Sequence, residues 1–218
     1  DVDGLEAAAR AKGKCFPPKF IVLEGVNGAG KTTLQAGLKA ALTERGHDCV
    51  VTREPGSGEL GAKLRPILLG GTVPDLSPLS EVFLFAADRA QHVQSVIKPA
   101  LNDGKTVLCD RYYYSTLAFQ GYGRALDCDV ILEMNLLAVA GVLPDLVILL
   151  DLDPEHGLAR NAGTDSSSDS FEEEDVAFQH RVRNGFLEIA EKSPEPFAVL
   201  DAVRPQAEIL NSALAFMG

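Results

Sequence analysis

The stretch EGVNGAGKTT, Glu24 to Thr33, follows the apolar run FIVL and precedes a segment with helical periodicity. Glycines at Gly25 and Gly30 let backbone N–H groups converge on phosphate oxygens, and a helix that begins there adds favourable partial charge for an anion. Between a strand and a helix, this spacing predicts a phosphate-binding loop rather than an ordinary glycine turn. We expect Lys31 to reach the β- and γ-phosphates of a nucleoside triphosphate, and the Thr32 hydroxyl to bind Mg²⁺.

Short apolar runs alternate with longer amphipathic segments along the chain, which is the pattern of a parallel sheet covered by helices. The runs are nearly continuous in apolar residues, so we expect strands that are buried on both faces. The predicted strands are FIVLE (Phe20 to Glu24), CVVT (Cys49 to Thr52), TVLCD (Thr106 to Asp110), LVILLD (Leu146 to Asp151) and FAVLD (Phe197 to Asp201). The predicted helices are Thr32 to Arg45, about Leu79 to Leu101, about Asp129 to Ala140 and about Val176 to Lys192. Right-handed crossovers between five such strands make a three-layer α/β fold.

The domain organisation follows from chain length and from one polar segment. A chain of 218 residues fits one domain, expected at 19–218, after an N-terminal extension at 1–18 that lacks the apolar core of a secretion signal. The segment NAGTDSSSDSFEEED, Asn161 to Asp175, is polar, serine-rich and acidic, and predicts a mobile loop. Such a loop inside a compact domain is either a lid or disordered, and we favour a lid at about 160–175.

Composition excludes several classes of protein. A formal net charge of −11 argues against a dedicated nucleic-acid binder, which needs clustered Lys and Arg. No apolar run approaches the ~20 residues that cross a bilayer, because Pro144 and Asp145 interrupt the longest candidate. The cysteines form no C-x-x-C pair and are expected to be free thiols in a reducing compartment: Cys15, Cys49, Cys109 and Cys128. We therefore expect a cytoplasmic protein with neither nucleic acid nor membrane as a partner.

A second candidate site residue ends the run TVLC. Asp110 would project from the carboxyl end of a strand, where ligands bind in open α/β sheets, and could hold Mg²⁺ directly or through water. The alternative is an Asp that caps a neighbouring turn. The adjacent Arg111 favours the site, since an Asp-Arg pair suits a position that faces bound phosphate.

Seven stretches, in this order along the chain, resemble thymidylate kinases of the bacterial type. They are FIVLEGVNGAGKTT (Phe20 to Thr33), TREPG (Thr52 to Gly56), FLFAADRAQHV (Phe83 to Val93), VIKPAL (Val96 to Leu101), DRYYYSTLAFQGYGR (Asp110 to Arg124), PDLVILLDLDPEHGL (Pro144 to Leu158) and FQHRVRNGFLEIA (Phe178 to Ala190). The resemblance spans about Lys19 to Gly218 and implies a P-loop nucleoside monophosphate kinase fold, with a five-stranded parallel sheet flanked by helices and a mobile lid. It also implies an enzyme that uses ATP and Mg²⁺ to phosphorylate dTMP to dTDP in dTTP biosynthesis. A homodimer, formed through the helices that include FLFAADRAQHV, is implied as well.

The resemblance assigns roles to individual residues. It implies that ATP is bound by the loop residues Gly25, Val26, Asn27, Gly28, Ala29, Gly30, Lys31, Thr32 and Thr33. For dTMP it implies that Phe85 stacks on thymine, that Arg89 hydrogen-bonds a pyrimidine carbonyl, and that Thr116 and Gln120 contact the base edge and sugar side. Arg111 and Arg65 would hold the acceptor phosphate by charge-assisted hydrogen bonds. Glu54 would lie near that phosphate and the metal, so the implied metal ligands are Thr32, Asp110 and Glu54.

The sequence departs from the family pattern at two places. Asn27 stands where the family usually has an acid that meets the acceptor sugar, and Asn brings a hydrogen bond but no charge. The segment from Asn161 to Asp175 contains no Arg, and Ser170 stands where bacterial-type members carry a catalytic arginine. Such an arginine is worth ~10³–10⁵ in rate. We expect Arg160 to replace it and to act with Lys31, Asp110 and Arg111, while Arg181 and Arg183 are further candidates.

Other functions remain open at this point. One is a kinase for another nucleoside monophosphate or for a deoxynucleoside. Another is a low-activity, nucleotide-binding regulatory protein with a degenerate lid. DRYYYSTLAFQGYGR favours dTMP over the other acceptors, since a nucleoside kinase would not need several Arg for an acceptor phosphate.

Overall fold

A computed structural model describes residues 17–161 and 170–217, except for the side chains of Leu158 and Asn161. Cys15, nearly all of the predicted extension and the middle of the predicted lid lie outside the described residues.

The described chain builds one five-stranded sheet in which every pairing is parallel. The strands are β1 (Phe20–Glu24), β2 (Cys49–Arg53), β3 (Thr106–Asp110), β4 (Leu146–Asp151) and β5 (Phe197–Asp201). Their order across the sheet is β2-β3-β1-β4-β5. All five were predicted within one residue, and the predicted α/β fold is confirmed.

The register of the sheet brings three strand ends together. Leu23 pairs with Asp110 across β1 and β3, and Arg53 pairs with Asp110 across β2 and β3. The chain passes from β1 to β2 on one side of the sheet, and later from β3 past β1 to β4 on the other side, so a crevice opens at the carboxyl end of β1. The phosphate-binding loop therefore lies beside Asp110 and the segment that follows β2.

Helices cover the sheet and connect its strands. The four predicted helices are α1 (Lys31–Glu44), a continuous helical run made of α3 (Pro78–His92), a π-helical turn (Val93–Ile97) and α4 (Lys98–Asn102), then α6 (Cys128–Val139) and α8 (Val176–Lys192). Their starts have local causes: the Asp127 side chain accepts the N–H groups of Asp129 and Val130, and the Asp175 side chain accepts that of Phe178.

Four further helical elements were not predicted. They are α2 (Gly58–Leu68), α5 (Tyr113–Thr116) with the π-helical segment Leu117–Gly123 after it, α7 (Pro154–Asn161) and α9 (Gln206–Leu214). α2 contains two glycines and Pro66, and α7 has Gly157 at its centre, residues that weaken a helical pattern read from sequence.

The expectation that all strands are buried on both faces is wrong at the two edges of the sheet. The central strands β1, β3 and β4 are buried nearly throughout. In contrast, Val51 on β2 is 40% exposed and Val199 on β5 is 48% exposed, because these edge strands have a neighbouring strand on one side only within the described sheet.

The end of the predicted lid is packed against the domain. Phe171 is buried, the backbone N–H of Ser170 donates to the Leu69 carbonyl at 2.9 Å, and Gln179 donates to the Phe171 carbonyl. Asn161, the first residue of the predicted loop, belongs to α7. A lid motion stays a prediction.

Among the described residues, no helix is both long and apolar enough to span a membrane.

Candidate active site

A cleft of about 590 Å³ opens where the carboxyl ends of β1, β2 and β3 meet. It is lined by most of the predicted site residues: Asn27, Gly28, Gly30, Lys31, Thr32, Thr33, Glu54, Arg65, Phe85, Arg89, Asp110, Arg111, Thr116 and Gln120. Gly25, Val26, Ala29 and Arg160 are not part of this lining. One cleft thus brings together the predicted donor and acceptor residues.

The phosphate-binding loop has a backbone that requires glycine. Gly28 and Gly30 have φ of +76° and +95°, in the left-handed region that side chains disfavour. A Cβ on Gly28 would also lie 2.5 Å from the Gly157 carbonyl oxygen of α7. The Lys31 ammonium donates to the carbonyls of Gly25 and Val26, at 3.1 and 2.9 Å. Gly25 and Val26 therefore act through their backbone carbonyls, which accounts for their place behind the cleft surface.

Thr32 and Asp110 form the candidate metal position. The Thr32 hydroxyl lies 3.5 Å from one carboxylate oxygen of Asp110. The other oxygen, Oδ1, is buried and has no hydrogen-bond partner within the described part of the chain. A hydroxyl oxygen close to a carboxylate with an unsatisfied oxygen provides ligands that suit a hard divalent cation.

Arg111 is tied to the phosphate-binding loop by its guanidinium. Nη1 donates to the Gly25 carbonyl at 2.9 Å and to the Ser115 hydroxyl at 3.0 Å, and Nη2 contacts the Asn27 side-chain oxygen. The Phe119 ring lies 5.1 Å below the guanidinium carbon. The amide of Asn27 therefore orients Arg111 without neutralising its charge.

Glu24, at the end of β1, holds the turn that carries Arg111. It is fully buried, and its two oxygens accept the Tyr112 N–H at 2.8 Å and the Ser115 hydroxyl at 2.6 Å. Arg111 itself has φ of +69°, a conformation that is unfavourable for a non-glycine residue. Burial of the charged form raises the pKa of Glu24 from 4.5 to about 7, although the nearby Arg111 acts in the opposite direction.

A buried network of charges lies behind the acceptor end. Glu54 accepts from Arg89 Nε at 2.7 Å with one oxygen and contacts His92 Nδ1 at 2.8 Å with the other. Arg89 also donates to the Thr116 hydroxyl at 3.2 Å and contacts the Asn135 side-chain oxygen. One Glu54 oxygen is therefore occupied by Arg89 and the other by His92, and this leaves Thr32 and Asp110 as the better placed metal ligands.

Aromatic rings build the apolar wall of the same end. The Phe85 ring lies 6.3 Å from Phe171, and Phe171 lies 5.3 Å from Phe119 in an edge-to-face arrangement. Ring pairs at these separations pack favourably. Phe171 comes from the end of the predicted lid, so this segment contributes to the cleft with an aromatic ring.

Sequence reasoning missed several residues of the cleft. They are Arg53, Pro55, Leu69, Tyr112, Ser115, Phe119, Phe171 and Glu172. Arg53 precedes the predicted site residue Glu54 and ends β2, and this position could have identified Arg53 as a residue of the cleft. Its guanidinium has no hydrogen-bond or ion-pair partner within 17–161 and 170–217, so it is available to an anion in the cleft.

The three arginines considered as replacements for a lid arginine lie in different settings. Arg160 reaches the Gly28 carbonyl at 3.5 Å and the Ala202 carbonyl at 3.1 Å, beside the phosphate-binding loop. Arg181 donates to the Gly123 carbonyl, and Arg183 forms a two-point ion pair with Asp151 at 2.7 and 3.0 Å. Arg160 is the one of the three that contacts the loop.

Comparisons with known proteins give a consistent result for the family of the chain. The family model described as thymidylate kinase matches residues 23–213. A protein named thymidylate kinase from Desulfosudis oleivorans is 47% identical over 203 residues, which cover 90% of this chain and 94% of the relative. A thymidylate kinase from Deinococcus radiodurans is 47% identical over 190 residues, covering 87% and 91%. The crystal structure of thymidylate kinase from Ehrlichia chaffeensis matches with a TM-score of 0.72 at 35% identity, and the match covers 89% of this chain and 97% of that one.

Replacing Glu24 with Gln tests the origin of its raised pKa. Between pH 4.5 and about 7, folded Glu24 retains a proton that the unfolded chain has released, so its contribution to the free energy of unfolding falls as pH rises. A pKa shift of this size corresponds to a change of about 3 kcal/mol in the free energy of unfolding. Between pH 5 and pH 8, the free energy of unfolding measured by urea denaturation should fall by about 2–3 kcal/mol more in wild type than in Glu24→Gln. A difference between the two proteins that does not change with pH would contradict the assignment.

Proposed function

Because the chain belongs to the thymidylate kinase family, we propose that its cleft binds ATP and dTMP end to end for transfer of the γ-phosphoryl group to dTMP. The enzyme class follows from the family itself. The observation that carries the substrate assignment is the single cleft, with the phosphate-binding loop at one end and Phe85, Arg89 and Gln120 at the other.

The donor end holds ATP through Gly25 to Thr33. Backbone N–H groups and the first turn of α1 face the phosphates, and Lys31 supplies a positive charge at their far end. Lys31 exchanges the Gly25 and Val26 carbonyls for phosphate oxygens with a small movement of its side chain.

Thr32 and Asp110 would hold the Mg²⁺ that arrives with ATP, and the buried Asp110 oxygen, which has no hydrogen-bond partner within the described residues, supports this role. When bound there, Mg²⁺ would supply positive charge that offsets the negative charge of the phosphates during transfer. Glu54 serves the metal only indirectly, since Arg89 and His92 occupy its oxygens.

The acceptor end orients dTMP by its phosphate and by its base. Arg111 and Arg65, joined by the unpaired Arg53, provide charged donors for a phosphate close to two negative charges. Arg111 is bound to the donor loop through Gly25 and Asn27, so the acceptor phosphate is aligned with the donor by the same side chain. Transfer through a loose transition state depends mainly on such alignment.

A direct assay tests the acceptor. ADP release with Mg²⁺-ATP should be fast with dTMP, and at least tenfold slower with dGMP and with thymidine, which lack the matching base or the phosphate. Coupled detection with dTMP, dUMP, dGMP and thymidine as separate acceptors measures this. Nucleotide binding without ADP release from any acceptor would contradict the proposal and favour the regulatory alternative.

Arg160 is proposed to supply the missing transition-state charge, since it already contacts the carbonyl of Gly28. Replacing Arg160 with Ala should lower the turnover number by at least about a hundredfold and change both KM values by less than about threefold, because the charge acts in the transition state. Arg181→Ala is the matched control, since its guanidinium is bound to Gly123, and it should retain turnover.

An unchanged turnover number in Arg160→Ala would exclude this role. In that case a slow wild-type enzyme near saturation would indicate that the lid has lost its catalytic charge without replacement.

A homodimer is proposed on the apolar surface of α3 and α6, two helices that pack together. Together the two helices expose five large apolar side chains: Leu79, Phe83, Val130, Leu136 and Leu137. Phe83 is 58% exposed, and a patch of this kind is typical of an interaction site.

Replacing Phe83 with Glu should convert a dimer into a monomer in size-exclusion chromatography with light scattering, because it puts a charge into the interface. Val203→Glu is the control, since Val203 is similarly exposed but follows β5, away from α3. A monomeric wild type, or a dimeric Phe83→Glu variant, would contradict the proposed interface. A cytoplasmic location stays a prediction.

A further inference from the structure

The base end of the cleft offers two buried polar side chains, and only one of them has a fixed hydrogen-bonding character. Arg89 is a donor in every orientation. Gln120 can donate with its amide nitrogen or accept with its amide oxygen, so its orientation decides what the cleft presents to a base. Both side chains are 1% exposed and line the cleft.

Glu81 fixes the orientation of Gln120 from behind. Glu81 lies in the first turn of α3, is buried, and is not part of the cleft lining. Its Oε2 accepts the Gln120 amide N–H at 3.1 Å. A carboxylate has no hydrogen to give, so the reversed amide would place two acceptor oxygens against each other in a buried site. The amide nitrogen is therefore committed to Glu81, and the amide oxygen is left for the cleft.

Glu81 is itself held by Arg124. Arg124 Nη2 donates to Glu81 Oε1 at 3.2 Å and Nε lies 3.4 Å from Oε2, while Nη1 contacts Glu174. The guanidinium carbon lies 5.4 Å from the centre of the Phe171 ring and 5.2 Å from that of Phe178. An ion pair with two contacts leaves the Glu81 carboxylate little freedom to turn away from Gln120.

We propose that Glu81 is a positioning residue that sets base selectivity by fixing the polarity of the Gln120 amide. This inference rests on the proposed function. A donor from Arg89 beside an acceptor from Gln120 matches a base edge with a carbonyl next to an N–H, which thymine presents. Cytosine presents an amino group next to an unprotonated ring nitrogen, the opposite pattern. Uracil carries the same edge as thymine, so this pair of side chains selects against cytosine and does not distinguish dTMP from dUMP.

The direct test replaces Glu81 with Gln, whose amide can either donate or accept and therefore lets Gln120 reverse. The KM for dTMP should rise about tenfold, which is the effect of one hydrogen bond to a buried group. The ratio of kcat/KM for dTMP over dCMP should fall by at least about tenfold, because a site built to hydrogen-bond one edge rejects the other by leaving groups unpaired. The KM for ATP and the ratio of dTMP to dUMP should stay within about twofold, since neither depends on this amide.

Glu174→Gln is the matched control. It makes the same chemical change in the other carboxylate bound to Arg124, but Glu174 has no contact with Gln120. It should leave the dTMP to dCMP ratio within about threefold of wild type, while thermal melting reports any loss of stability in both variants.

A second variant keeps the test decisive if Glu81→Gln does not fold. Gln120→Met keeps the side-chain length but removes the amide, and it should lose selectivity against dCMP to a similar extent. Where both changes are tolerated, the double variant should be no less selective than Gln120→Met alone, because Glu81 acts through Gln120.

Unchanged selectivity in Glu81→Gln, or an equal loss in Glu174→Gln, would overturn the role of Glu81. If Glu81→Gln does not fold, retained selectivity in Gln120→Met would overturn it. Failure of wild type to phosphorylate dTMP would contradict the proposed function instead. Calorimetric binding of dTMP and dCMP to wild type distinguishes these cases, because base selectivity in binding does not require turnover.

Discussion

The buried carboxylate of Glu24 joins the two halves of the cleft. It ends the central strand, directly before the phosphate-binding loop, and it accepts hydrogen bonds from Tyr112 and Ser115 in the turn after β3. That turn carries Arg111 in a left-handed conformation, and Arg111 reaches back to Gly25. The phosphate-binding loop and Arg111, the proposed ligand of the acceptor phosphate, are therefore built as one unit. Burying the carboxylate is unfavourable for its charged form, and the raised pKa of Glu24 records that cost.

The acceptor end follows the same principle, with side chains that are oriented by residues behind them. Arg89 is held by Glu54, which is held in turn by His92, and Gln120 is held by Glu81. Buried polar groups of this kind are favourable only when their partners are in place, and when satisfied they are rigid. We propose that this rigidity gives base recognition its selectivity, because the cleft does not have to order its own side chains when dTMP binds.

Much of the fold and of the cleft could be predicted from the sequence. The features that could not be predicted were missed for physical reasons. Continuous apolar runs identified all five strands, and the loop spacing with Asp110 identified the donor end. The helices with Gly61, Pro66 or Gly157 were missed, because these residues weaken a local helical signal. Glu24 lay inside the quoted motif but was read only as the end of a strand. Its contacts, and those of Glu81 and Glu54, join residues 35 to 91 positions apart, which only the folded sheet brings together.

The central claim is that one cleft aligns both nucleotides through Arg111, with thymine at Gln120 and Arg89. A crystal structure with Mg²⁺, ADP and dTMP bound together tests it most directly. We expect the dTMP phosphate within ~3 Å of the Arg111 guanidinium, and the thymine N3 within ~3 Å of the Gln120 amide oxygen. Thymine bound away from Gln120, or a dTMP phosphate without contact to Arg111, would contradict the account.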